Sequence, residues 1–202
     1  MRRVVVLVLL ALALPIAAWA DGITLTNQFG TVSVSNAGVS SFGSQLQSFN
    51  GFSAAPGHSL GSVTFTTGAM IGGTLAGGGS FSSVGSTFSV LGKGNWAHGH
   101  NTAIFTGSFI GNISWTMTAQ VGQLRTFSLV GTISGQLWDG RTVTGTTNQT
   151  VYVLNNKQFS QGVGHIHAGI TGVNAPEPGT LGLLGTGLVG IAGMFRRKLI
   201  GG

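Results

Sequence analysis

The sequence predicts an all-β protein whose body is an antiparallel β-sandwich or barrel, and three observations carry that prediction. Apolar residues recur with period two rather than at helical spacing, β-branched and aromatic side chains fill the same windows, and short turn signals separate them. In "NISWTMTAQ", Ile113, Trp115 and Met117 alternate with Ser114, Thr116 and Thr118, the pattern of a half-buried strand. The segment "GSVTFTT" repeats this with Val63 and Phe65, and "GTVSVS" with Val32 and Val34. The run "QTVYVL" suits a pleated sheet. Gly and β-branched residues interrupt every window in which a helix could form in the body.

Turn chemistry orders these segments. Asp139-Gly140 between "FSLVGTISGQLW" and "RTVTGTTNQTVYVL" predicts a two-residue type I′ hairpin. Gly111-Asn112 predicts a second turn, between "TAIFTGSFI" and "ISWTMT", and Val121-Gly122 a third. Residues 102–154 should therefore hold a meander of at least four antiparallel strands. A β-solenoid is the alternative suggested by "GAMIGGTLAGGGSFSSVGSTF", but no repeat period persists. Residues 68–94 also read as a Gly-rich stretch able to stay poorly paired.

The two ends differ from the body. "MRRVVVLVLLALALPIAAWADG" has a basic start at Arg2 and Arg3, eleven apolar residues over 4–14, and Pro15. Ala18 and Ala20 then put small residues where a signal peptidase requires them. Eleven apolar residues are too few to cross about 30 Å of hydrocarbon, so residues 1–20 read as a cleaved signal peptide handled by the secretion machinery. The domain organisation follows: signal peptide 1–20, β domain 21–172, extended linker 173–178, hydrophobic helix 179–195 and basic cytoplasmic tail 196–202.

Charge supports this division. The formal net charge is +6 over 202 residues, yet Arg2, Arg3, Arg196, Arg197 and Lys198 all sit at the ends. Lys93, Arg125, Arg141 and Lys157 face Asp21 and Asp139 in the body, which leaves no basic cluster to displace counterions from nucleic acid. The absence of cysteine removes thiolate chemistry and disulfides. Sequons at Asn112 and Asn148 would matter only in a eukaryote.

Several motifs invite catalytic readings and fail on context. "GHSLG" at 57–61 matches the nucleophile-elbow pattern, and Ser59, Asp139 and His165 follow hydrolase chain order. That elbow needs a strand before it and a helix after it, whereas a strand pattern follows here. "GTGLVG" at 185–190 matches G-x-G-x-x-G but sits in the terminal apolar run without a βαβ unit. Paired-carboxylate catalysis has only Asp139 to work with, apart from Asp21 at the expected new N-terminus. No catalytic residue and no cofactor is assigned. The remaining chemical alternative is a secreted metal-binding or metalloenzyme β domain built on two H-x-H pairs, His98 with His100 and His165 with His167. On a strand each pair would present two imidazoles on one face. Thr142, Thr144 and Thr146 line one face of a strand, as threonine ladders do.

"HIHAGITGVN" resembles the H-I-H-x-G-x-x-G-x-N stretch of CHRD-type secreted β domains over ten residues. A longer resemblance lies at the C-terminus. Pro176, Glu177 and Pro178 precede seventeen uncharged residues at 179–195, and Arg196, Arg197 and Lys198 follow. At 1.5 Å per residue that run spans about 25 Å as a helix, and the basic tail sets its cytoplasmic end. Gly182, Thr186 and Gly190 form a small-residue ridge suited to helix packing. This arrangement resembles the PEP-CTERM sorting signal of Gram-negative bacteria. The resemblance implies export, transient anchoring in the inner membrane, and processing near Pro176–Pro178 by an exosortase, a membrane cysteine protease. It also implies delivery to the cell surface or exopolysaccharide matrix. The expected function is that of a non-enzymatic surface or matrix protein whose hydroxyl-rich body suits contact with polysaccharide or with its own copies.

Overall fold

The computed structural model describes residues 22–94, 102–154 and 163–174. The expected signal peptide with Ala18 and Ala20 lies outside them. So do His98 and His100, the Pro176-Glu177-Pro178 motif, the 179–195 helix, and Arg196, Arg197 and Lys198.

Alternation of inward apolar and outward polar side chains governs the strands that form. In chain order they are β1 (Gly22–Gln28), β2 (Thr31–Ser35), β3 (Gly38–Phe42), β4 (Ser44–Phe49), β5 (Phe52–Ser53), β6 (Gly61–Thr66) and β7 (Met70–Thr74). There follow β8 (Gly78–Phe81), β9 (Thr87–Gly92), β10 (Thr102–Val121), β11 (Leu124–Leu137), β12 (Thr142–Leu154) and β13 (Val163–Asn174). Every pairing is antiparallel, and β13 closes on β1, so the expected sandwich-or-barrel resolves to a barrel of eight wall strands. The wall runs β1, β4, β6, β9, β10, β11, β12, β13 and back to β1. Closure removes the open edges that an antiparallel sheet must otherwise protect.

β1 and β2 are two halves of one wall strand. Asn27 opposes Gly169 and Thr31 opposes His165 without loss of register along β13. Phe29 and Gly30, both at positive φ, kink the strand between the halves. The β7–β8 hairpin extends the wall beside the upper part of β10, where Phe81 opposes Ile113 and Gly79 opposes Trp115. The stretch 68–94 is thus paired rather than loose: β9 is bonded to both β6 and β10.

Two turn expectations are corrected. Gly111 and Asn112 lie inside β10, which continues for 20 residues. The register against β11 shifts there, from Ile110 opposite Thr132 to Ser114 opposite Val130, so the pair forms a bulge. Gly111, at φ 69°, supplies the left-handed residue that a bulge and a turn both use. Residues 102–154 therefore hold three strands, not four. At Asp139-Gly140 the hairpin loop is longer than two residues. The Leu137 amide donates to the Arg141 carbonyl at 3.0 Å, and the Gly140 amide to the Leu137 carbonyl at 3.0 Å. Gly140 takes φ 82° while Asp139 stays at negative φ, which excludes type I′ and gives a three-residue loop.

The barrel interior is filled by side chains. Phe65, Phe88, Phe105 and Phe109 form an aromatic cluster with centroids 5.8–6.3 Å apart. Nearer one end Trp115 stacks on Phe127 at 4.5 Å, meets the edge of Phe81, and donates its indole N–H to the Leu75 carbonyl at 2.9 Å. The outward positions of β10 to β13 are mostly Thr, Ser, Asn, Gln and Gly. A barrel that crosses a membrane with its strands needs an outward apolar band, so this wall has the opposite polarity.

Candidate functional site

Strand register decides which chemistry-bearing residues meet. Asp139 lies in the β11–β12 loop, and Ser59 in the segment before β6, at the end of the barrel that also carries Gly22 and Asn174. His165 opposes Tyr152, near the other end of β12. Ten residues of strand separate Thr142 from Tyr152, roughly 30 Å at about 3.3 Å per residue. Ser59, Asp139 and His165 therefore form no triad. Asp139 is engaged locally: its Oδ1 accepts the Arg141 amide at 3.0 Å and its Oδ2 accepts Arg141 Nε at 2.7 Å.

That hydrogen bond from the Arg141 amide, seconded by the guanidinium, holds the Asp139 carboxyl below the ordinary aspartate range despite some desolvation. A depressed carboxylate pKa contributes its stabilisation above the unfolded value and loses it as pH falls through the folded one. The pair is solvent-exposed, so the shift is a local marker with little effect on stability. NMR titration should place Asp139 below a free aspartate. In Arg141→Ala the midpoint should rise only part of the way, because the backbone amide remains as a donor.

His165 and His167 share the outer face of β13, as their spacing predicts. A register shift between Thr150 and Val151 turns both His167 and Ala168 outward. His167 stacks on the Tyr152 ring at 4.3 Å and 15°. Among the described residues no group of three or more His, Cys, Asp or Glu is placed to hold a metal. The four-imidazole arrangement thus has no support from the described half of it, the pair His165 and His167.

The sequence reading missed a polar cluster inside the barrel. Asn27 Nδ2 donates to Ser44 Oγ at 2.7 Å and to Gln149 Oε1 at 2.9 Å. Gln149 Nε2 donates back to Asn27 Oδ1 at 3.2 Å and to Thr147 Oγ1 at 2.9 Å. The Thr147 and Thr171 hydroxyls are 2.8 Å apart. All four amide N–H groups thus have acceptors, which buried side-chain amides require. Asn27, Gly169 and Gln149 occupy one cross-strand row over β1, β13 and β12. The two amides meet above Gly169, where a Cβ would collide with both amide oxygens. This cluster marks the seam at which the barrel closes, and its satisfied bonds suit a structural role.

The outer wall presents uncharged rows. Thr142, Thr144 and Thr146 are exposed on β12, and Thr144 lies between Ser134 on β11 and Asn174 on β13. Ser128 Oγ donates to Asn148 Oδ1 at 2.7 Å, and Thr26 and Ser48 hydroxyls pair at 2.6 Å.

The remaining site is the point at which β13 becomes the C-terminal segment. Strand pairing continues through Asn174, which opposes Gly22 on one side and Thr144 on the other. Residues 173 and 174, expected in the linker, are therefore wall residues. Only Ala175 separates the last paired residue from Pro176. A proline has no amide hydrogen to donate to a sheet ladder, and the sequence places two of them, Pro176 and Pro178, directly after the described end of β13.

No curated protein and no solved structure matches the chain. Residues 174–198 match the family model described as the PEP-CTERM protein-sorting motif, so the chain carries the C-terminal signal of an exported protein processed by an exosortase.

Proposed function

We propose that this chain is a non-enzymatic surface or extracellular-matrix protein, held at the inner membrane by residues 179–195 and released by cleavage near Pro176-Glu177-Pro178. The observation that carries the reading is the sorting motif at 174–198, which begins on the last residue of the barrel wall. The barrel suits delivery as a folded unit. Its interior is packed, its buried amides pair with each other, and Asp139 is tied to Arg141. The exposed rows of Thr, Ser and Asn offer hydroxyl and amide partners to a neutral polysaccharide without desolvating a charge.

Fractionation tests the sorting step. Wild-type protein should leave the membrane in a strain that contains exosortase. The triple variant Pro176→Ala, Glu177→Ala, Pro178→Ala should accumulate as membrane-bound precursor, and equal release of the two would overturn the reading. Contact with the matrix is tested by native electrophoresis through gels containing the source's exopolysaccharide. The protein should be retarded, and Thr144→Glu with Thr146→Glu should restore free mobility by placing carboxylates in the hydroxyl row.

A further inference from the structure

The two chain ends leave the barrel side by side. Gly22 and Asn174 are register partners on β1 and β13, and a Cβ at Gly22 would touch Asn174 Oδ1 at 3.1 Å. Asp21 alone separates Gly22 from the expected signal-peptidase cut after Ala20, and Ala175 alone separates Asn174 from Pro176. Register extends this end of the barrel to other residues. Gly92 opposes Thr102, Phe105 opposes Leu137, and Phe49 opposes Leu25. The same pole therefore holds the β4–β5 turn, the end of β9 and the β11–β12 loop.

That pole has the side chains of a headgroup-facing surface. Phe52 is 68% exposed, and Trp138 is 42% exposed while its ring meets Phe49 edge-on at 6.1 Å. Lys93 follows β9, its amide bonded to the Leu60 carbonyl at 2.7 Å, and Arg141 follows the loop beside Asp139. A Trp that is half apolar and half wet, at the same pole as two cations on flexible stems, suits the boundary between phospholipid headgroups and acyl chains. The opposite pole also carries exposed apolar side chains: Val121 at the β10–β11 turn, Leu154 and Val163. No end of the barrel chain leaves from there, so membrane anchoring does not bring that pole to lipid.

We infer that the Gly22/Asn174 pole is the face that the anchored precursor sets against the phospholipid surface, with Trp138 and Phe52 at the headgroups and Lys93 and Arg141 toward lipid phosphates. The inference rests on the anchoring proposed above. Four residues, 175–178, lie between the last wall residue and the apolar run that begins at Gly179, a reach of at most about 18 Å, so this pole stays close to the lipid. The opposite pole then points away from the membrane.

The chain contains no cysteine, so a single introduced one reports one place. Thr142→Cys and Gln123→Cys are exposed sites at the two poles, each to carry a fluorophore. The precursor, purified from membranes, is returned to vesicles of phosphatidylethanolamine and phosphatidylglycerol containing a headgroup-nitroxide lipid. Flotation with the vesicles tests the anchor, and quenching tests the orientation. The label at 142 should be quenched severalfold more than that at 123, and Trp138→Ser with Phe52→Ser should narrow the difference. Flotation with equal quenching, or stronger quenching at 123, overturns the inference and leaves the anchor standing. Failure to float removes the anchor and the inference with it.

Discussion

Replacing Trp115 with alanine is expected to lower the unfolding free energy by about 3–5 kcal/mol, the range for deleting a large buried aromatic. Trp115 is 1% exposed, stacks on Phe127 at 4.5 Å and meets Phe81 edge-on at 6.2 Å. Its indole N–H donates to the Leu75 carbonyl at 2.9 Å, which ties the β7–β8 hairpin to the barrel end. The alanine variant loses the stack, leaves a cavity and orphans that carbonyl. Melting should fall by on the order of 10 °C for a domain of this size. Trp115→Phe separates the contributions. It keeps a ring against Phe127 but cannot donate, so it should cost much less while the β7–β8 amides exchange faster. A melting temperature for Trp115→Ala within a degree or two of wild type would contradict the packing described.

Gly169→Ala should be nearly as damaging, although it adds a single methyl group. The new carbon would occupy the space in which the Asn27 and Gln149 amides meet, and both side chains are wholly buried. Displacing them strands amide groups in an interior with few other partners. An unsatisfied buried polar group costs about 1–3 kcal/mol, so a loss of about 3 kcal/mol is expected. Gly172→Ala is the control, three residues along the same strand. There the nearest atom to a new Cβ is Thr24 Cγ2 at 4.0 Å, and the change should stay within about 1 kcal/mol of wild type. If thermal unfolding shows equal effects at 169 and 172, the amide pair is not what constrains the seam.

The pair also explains how the barrel closes in one register. A slip of one residue between β1 and β13 would turn every inward apolar side chain outward, which the alternation already forbids. A slip of two keeps Ile23 and Leu25 inside, and alternation does not oppose it. In one direction it would, however, bring Asn27 opposite the buried Thr171 instead of Gly169, where a side chain replaces the open space. A buried polar pair placed over the glycine therefore disfavours a slip that hydrophobicity permits.

Much of the wall was legible from alternation alone. Ile113 and Trp115, Val63 and Phe65, and Val32 and Val34 all face inward as their spacing predicts, but Met117, expected to continue the first series, is exposed where the register of β10 shifts. Closure was not legible, because period two states which face a residue takes and says nothing of which distant strand it joins. Gly111-Asn112 read as a turn because left-handed residues serve turns and bulges alike. Only the continued pairing of β10 with β11 distinguishes them. The amide pair left a partial trace: Asn27 continues the inward series of Ile23 and Leu25, and Gln149 precedes Val151 and Val153. A polar residue at an inward position signals a buried partner, but that partner is 122 residues away. The sorting motif was fully legible, since it is recognised as a linear peptide and needs no fold to be seen.

Intact-mass spectrometry of the protein recovered from outside the cell tests whether the exported barrel is released from its C-terminal segment. The expected mature chain begins at Asp21 and ends before Gly179, with the barrel residues 22–174 complete. A mature chain that still carries residues 179–195 would contradict that release.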